Sequence, residues 1–234
     1  FPPSYLKATS KENINFKETY YSELTFHFWF WKNILPTIEN EWIGFCQKRR
    51  FWIKESSINE EIDKDNIVSH MITDPEENWK DYESIITEPI DLTNVKMSKL
   101  LKRGLKNILL EPSILFNKNK RNIRLHFDMH HGYGVLDKAI SFIKKEDQTD
   151  FKKFIDENTK FNPHIMFISK KKIIDKWFSD LFGWLFKCEK EFGFQNLKNY
   201  ETGRLYAYLA ERYLSFWFKK HTKYKIHPWR FIDV

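Results

Sequence analysis

The chain has 234 residues, of which 41% are hydrophobic, 30% charged and 18% aromatic (22 Phe, 10 Tyr, 9 Trp). That composition excludes a disordered, collagen-like or low-complexity chain, and the length suits one domain of generous size. The net charge of +7 is concentrated in residues 94–124, which hold nine basic residues and one acid, Glu111; a fold coated evenly with nucleic-acid-binding charge is thereby disfavoured.

Residues 1–18 are polar and read as a loop. Residues 20–34 predict a helix, with Tyr21, Leu24, Phe28 and Trp31 at helical spacing. Phe26, Trp29 and Phe30 occupy its other faces, so burial nearly all round is expected. Pro36 ends it. Residues 42–46 read as a buried strand that runs into the polar cluster Gln47-Lys48-Arg49-Arg50. Residues 54–80 are acidic and irregular, and residues 84–87 form a second short strand closed by Pro89. Residues 95–110 predict an amphipathic helix with a cationic outer face. Residues 122–128 alternate, Ile123, Leu125 and Phe127 against Arg124, His126 and Asp128; period two argues strand, with a helix or loop left open over so short a run. Short helices follow at 135–143 and 150–158, and a strand at 164–168 after Pro163. Residues 173–192 and 201–220 predict two long helices. Short strands alternating with longer helices indicate an α/β fold. No internal repeat or linker is visible, so one domain is expected.

Two cysteines, Cys46 and Cys188, cannot build a disulfide framework or a Cys-rich zinc site and fit a reducing compartment. No apolar run approaches the ~20 residues of a membrane span, and no signal peptide is legible. Phe1 stands where Met would begin a chain, so sequence upstream is expected. GxGxxG, Walker, GxSxG and HExxH motifs are absent, as is an Asp-x-Asp pair.

Arg49 and Arg50, directly after a buried strand, offer forked donors for phosphate oxygens; a solvated turn is the alternative. Arg124, His126, Asp128, His130 and His131 resemble a metal constellation, 126, 128 and 130 sharing a face if the segment is a strand. A polar loop or solvated face is the alternative, and His131 with Asp137 could instead orient an acceptor hydroxyl. Glu201, Arg204, Tyr208 and Glu211 form a polar stripe on the last helix, either solvated or lining a cleft where a carboxylate could act as general base. Glu23 starts the aromatic helix, where it either meets the helix N-terminus or bonds a ligand hydroxyl. His27 and His164 read as core histidines. The basic 94–124 segment suits an anionic membrane surface, a nucleic-acid backbone or plain solvent.

Tyr21-Ser22-Glu23-Leu24-Thr25 with Trp31-Lys32-Asn33, then 43–51, His130-His131 with Asp137, residues 164–169, and Arg204 through Arg212 resemble a bacterial family. That family is long catalogued as a domain of unknown function. Its members lie in capsule, exopolysaccharide and O-antigen gene clusters, and some are similar to galactofuranosyltransferases. Ser22-Glu23 before a helix is similar to the Ser-Asp pair of GT-A sugar transferases. The resemblance implies a helix-rich, single-domain GT-A-like fold without its first nucleotide-binding strand. It implies a cytoplasmic transferase. Residues 94–124 depart from the family pattern, being longer and more basic, and are expected to be an insertion that addresses a lipid-linked acceptor and holds the protein peripherally on the membrane. The donor would be a nucleotide sugar, UDP-type, and the acceptor a growing or lipid-linked glycan.

Ser22, Glu23, Gln47, Lys48, Arg49 and Arg50 would bind donor. Glu211, then Asp128, would be the base, and His130, His131, Asp137, His164, Arg204 and Arg212 would contact acceptor or phosphate. Gln-Lys-Arg-Arg stands where that fold carries Asp-x-Asp, so Mn²⁺ or Mg²⁺ is not favoured; cationic side chains could neutralise the leaving diphosphate. A nucleic-acid-binding module and an inactive transferase-like scaffold are the rival readings.

Overall fold

The computed structural model describes residues 6–39 and 41–233. Helices α1 (Glu18–Tyr21) and α2 (Leu24–Asn33) lead to strands β1 (Trp42–Phe45) and β2 (Arg50–Trp52), helix α3 (Ile67–His70) and strands β3 (Ser84–Thr87) and β4 (Ile90–Asp91). A helical stretch follows: α4 (Met97–Arg103), α5 (Leu105–Leu110), α6 (Ile123–His131), α7 (Val135–Ile140) and α8 (Lys145–Glu157). Strands β5 (Lys160–Phe161) and β6 (Phe167–Lys170) precede α9 (Lys171–Phe192), α10 (Tyr200–Gly203) and α11 (Leu205–His221). Strands β7 (Tyr224–His227) and β8 (Trp229–Phe231) come last.

The main sheet has the order β1-β6-β3-β7. Strand β6 runs antiparallel to β1 and β3, and β7 runs parallel to β3. Strands β1, β3 and β7 therefore point the same way, and their carboxyl ends share one edge with the start of β6. Two-stranded ribbons, β2-β8 and β4-β5, flank the sheet.

The aromatic residues form the layer between helices and sheet. On α9, Ile174, Trp177, Phe178, Leu181, Phe182, Trp184, Leu185 and Cys188 follow helical spacing and are buried. Phe28 of α2 meets Phe182 edge-on at 5.1 Å, and Trp31 stacks on Phe182 at 5.8 Å. Each such ring removes a large apolar area from water. α11 buries Leu205, Tyr206, Leu209, Ala210, Tyr213, Leu214 and Trp217 against the same core.

Several expectations are corrected. The 20–34 helix is divided at Ser22, which takes left-handed backbone (φ 51°) between α1 and α2. The 95–110 helix is interrupted at Gly104, where a Cβ would lie 2.8 Å from the Leu100 carbonyl oxygen. The 201–220 helix breaks at Arg204. The strand expected at 164–168 begins at Phe167.

Residues 122–128 are not a strand but belong to helix α6, whose first turn is capped by the Asn122 side chain accepting from Leu125 N (2.9 Å). The alternation has a physical source. Ile123 and Phe127 face the main core, whereas Leu125 and Met129 face a second cluster with Leu100, Ile108 and Ile114. A helix wedged between two apolar layers mimics period two over seven residues.

His27 on α2 lies in the aromatic layer, 4.7 Å from Phe45 and 5.7 Å from Phe178, with no hydrogen-bond partner for Nδ1. Burial pulls its pKa from 6.5 to about 3. The unfolded chain takes up this proton below pH 6.5 while the folded chain does not. Stability from this group is therefore complete above pH 6.5 and is lost as pH falls toward 3. His27→Phe should flatten the pH dependence of unfolding free energy by about 1.4 kcal/mol per pH unit in that window. Urea denaturation across a pH series reads it.

Candidate active site

The site lies along the edge where β1, β3 and β7 end. After Phe45 the chain reverses through Gln47 to Arg50, with Arg50 N donating to Gln47 O (3.0 Å). Arg49 takes the left-handed position of this turn (φ 66°), where glycine is the usual residue. The reversal sends Gln47 back to the start of α2, where its amide donates to Glu23. Arg50 reaches across to His164, Nε to Nε2, at 2.9 Å. Arg49 instead pairs with Asp233 (2.9 Å), and Lys48 is exposed.

His164 follows Pro163 in left-handed backbone (φ 66°). Its main-chain N–H donates to Glu211 Oε1 (2.7 Å), and its ring lies edge-on to Trp229 at 4.9 Å. Arg50 Nε can only donate, so His164 Nε2 is the bare nitrogen and the ring proton sits on Nδ1. That nitrogen is 3.9 Å from Glu211 Oε1. Burial, then the Arg50 charge, pulls the His164 pKa down to about 4, so the ring is neutral near pH 7.

Glu211 on α11 also accepts from its neighbour Arg212. Its side chain remains 19% exposed. Burial raises its pKa above the ordinary carboxylate value, Arg212 and the His164 N–H oppose the rise, and nearby Glu23 adds to it. Arg212 is almost wholly enclosed, its guanidinium 4.1 Å over the Phe161 ring. Its Nη2 donates to His126 Nδ1 (3.1 Å), and burial followed by the Arg212 charge keeps that imidazole neutral. His130 lies tilted against His126 at 4.8 Å and contacts Arg103 (3.0 Å). His131 stacks on Tyr208 at 3.8 Å and holds the Glu201 carbonyl through Nδ1 (2.7 Å).

One connected line results: Glu23–Gln47 at one end, then Arg50–His164–Glu211–Arg212–His126. Other expected residues lie apart from it. Asp128 faces away from His126 and His130, because residues two apart on a helix do not share a face. Its oxygens accept from Asn107 (2.7 Å) and Gly134 N (3.0 Å), and burial raises its pKa. The shared-face metal arrangement of 126, 128 and 130 therefore does not form. Asp137 binds Arg124, which also binds Asp156, so no His131–Asp137 pair forms. The break at Arg204 splits the polar stripe: Glu201 pairs with Arg103, while Tyr208 and Glu211 remain on α11. Arg204 and Ser22 line a neighbouring cleft of about 560 Å³ with Glu18, Asn199 and Tyr200.

Sequence reasoning did not single out Trp229, which forms the wall beside His164, or assign His126 to Arg212. The aromatic alternation of Trp229, Arg230 and Phe231 after the last helix was the available signal for the former.

The chain belongs to the family described as domain of unknown function DUF4422, whose model matches residues 2–222. No curated protein sequence matches it significantly. Among solved structures, the apo structure of the bifunctional glycosyltransferase WbbM matches 97% of this chain at 20% identity, with a TM-score of 0.71. This chain spans 39% of that protein's length. The likeness establishes the mixed α/β, GT-A-like fold.

Arg212→Leu would leave the largely buried Glu211 without its cation. Because Glu211 keeps some solvent and the His164 N–H, the cost should fall below the ~3–5 kcal/mol of a fully buried pair. Urea denaturation should show that loss, and the double variant Glu211→Leu/Arg212→Leu should be more stable than Arg212→Leu alone.

Proposed function

We propose that this DUF4422 member is a glycosyltransferase. It would move a sugar from a nucleotide-sugar donor, of the UDP type, to a hydroxyl of a growing capsular, extracellular or O-antigen glycan. One observation carries the reading. Glu211, a partly exposed carboxylate of raised proton affinity, sits beside His164, which Arg50 contacts in turn, at the carboxyl edge of the sheet. Open α/β sheets bind ligands at that edge, and a glycosyltransferase shares the fold.

In this reading Glu211 takes the proton of the acceptor hydroxyl as its oxygen attacks the anomeric carbon. The bond from that carbon to the diphosphate breaks, and its electron pair leaves with the diphosphate. Arg50 and Lys48 meet the developing charge, the part an Asp-x-Asp metal plays elsewhere in this fold. Gln47, Glu23 and Ser22 hold the donor's sugar and nucleotide. His164, with its proton on Nδ1 facing Glu211, orients the base; His130, His131 and Arg204 lie toward acceptor or phosphate, and the enclosed Arg212 holds Glu211 from within. Burial makes Glu211 a better proton acceptor than a free carboxylate, yet it must be ionised to act. Turnover should rise with pH through its raised pKa.

The basic segment supplies a second surface. Leu101, Leu105, Leu109, Leu110 and Phe116 are exposed among Lys99, Lys102, Lys106, Lys118 and Lys120. Exposed aliphatic side chains in a cationic field suit an anionic membrane surface, on the cytoplasmic face, better than base stacking. No helix among the described residues is long and apolar enough to cross a membrane.

Three experiments test these readings. UDP-sugar should raise the melting temperature of the wild type and of Arg49→Ala but not of Arg50→Ala; an undiminished shift in Arg50→Ala would sink the donor assignment. Glu211→Gln should keep that shift while turnover falls by about 10²–10⁴-fold. Sedimentation with phosphatidylserine vesicles should be salt-sensitive and abolished by Leu105→Glu/Leu109→Glu.

A further inference from the structure

We infer that Glu55, Glu76 and His227 form a binding site for a divalent cation of the zinc class, at the β7 end of the same sheet edge but built from none of the candidate active-site residues. His227 ends β7 and is fully buried, its ring edge-on to Trp79 at 5.3 Å. Its Nε2 lies 2.7 Å from the Ile53 carbonyl oxygen. A carbonyl only accepts, so Nε2 carries the proton and Nδ1 presents a bare lone pair. That Nδ1 is buried without a hydrogen-bond partner. It faces two carboxylates, 3.8 Å from Glu55 Oε1 and 4.0 Å from Glu76 Oε2.

Three electron-rich atoms thus converge within 4.8 Å of one another, and no proton stands between His227 Nδ1 and either carboxylate. Such a convergence is electrostatically unfavourable, is only partly relieved by the Lys225 ammonium at Glu55 Oε1, and favours a further cation. Zinc bonds of about 2.0–2.2 Å in tetrahedral geometry place ligand atoms roughly 3.3–3.6 Å apart, so the two carboxylates would each move about 0.5 Å toward His227 Nδ1 and also draw closer to one another. One imidazole with two carboxylates suits zinc-class ions better than magnesium or calcium.

The surroundings match those of a ligating histidine. The second ring nitrogen is anchored to a backbone carbonyl, which fixes the tautomer and aims Nδ1. The carboxylates are likewise held: Glu76 Oε1 accepts from Glu55 N (3.1 Å), and Glu55 Oε2 accepts from Asn78 (2.9 Å). Glu55 is 37% exposed and provides the entry path. The Lys225 ammonium, 2.6 Å from Glu55 Oε1, partly offsets the acidic charge and competes with an incoming ion.

A bound ion would tie segment 54–80 to β7. His227 lies two residues before Trp229, so the ion would also stiffen the wall against which His164 packs.

The test uses the full chain, stripped with a chelator and dialysed, then titrated with Zn²⁺ by calorimetry and metal counting. One equivalent should bind and raise the melting temperature. Glu76→Gln and His227→Gln should weaken that binding at least tenfold. Lys225→Met, which removes the competing ammonium, should tighten it several-fold. Near-UV circular dichroism establishes that each variant is folded; should His227→Gln unfold, the half-buried Glu76→Gln decides alone. Uptake of less than one equivalent, or an affinity unchanged by Glu76→Gln, would overturn the site.

Discussion

The structure turns on the buried contact between Glu211 and Arg212. Consecutive residues on a helix point about 100° apart, so α11 can send one side chain into the cleft and the next into the interior. Arg212 goes inward, over Phe161 and onto His126, and so ties α11 to β5 and α6. Glu211 goes outward and captures the backbone of His164 just before β6. An enclosed guanidinium without a carboxylate would be costly, and so would an enclosed carboxylate without donors. The need to keep both satisfied fixes where α6, α11 and the lead-in to β6 stand relative to the sheet edge.

The aromatic layer sets the electrical character of this arrangement. Rings from α2, α9, α11 and the sheet exclude water from the neighbourhood of several histidines. His27, His126, His131 and His164 are all pulled below their ordinary pKa chiefly by burial. Neutral imidazoles act as fixed donors and acceptors here rather than as charges. The cations left facing the cleft are arginine and lysine, whose charge does not vary near neutral pH. A cleft of this kind keeps its positive charge unchanged across neutral pH.

Much of the fold was legible because α9 and most of α11 carry an unbroken 3.6-residue apolar pattern, and because residues 42–46 and 84–87 are short apolar runs bounded by turn signals. Helix α6 misled because it is apolar on two opposed faces. Strands β2, β7 and β8 escaped because each is three or four residues long and takes its meaning from a distant partner: Trp52 pairs with Trp229, and Ile85 with Lys225. The same holds at the site. Glu23, Gln47, Arg50, His164 and Glu211 could be named from their order and a family resemblance. That Arg50 meets His164, or that Asp128 turns away toward Asn107, depends on contacts between residues far apart in the chain. Left-handed Ser22, Arg49 and His164 carry no glycine to announce them.

The position of β7 has a consequence for synthesis. It lies beside β3, yet it emerges only after α11, and β8, which covers β2, emerges later still. Chains fold from the N-terminal side as they leave the ribosome. The helical core can gather around β1, β3 and β6 while the edge of β3 is still open. A nascent chain would thus pass through a state with a packed interior and an unpaired strand beside an unfinished cleft. Exposed strand edges of this kind invite pairing with other chains. The Lys223–Tyr224 junction, where the chain turns from α11 into β7, is where that edge of β3 is finally covered.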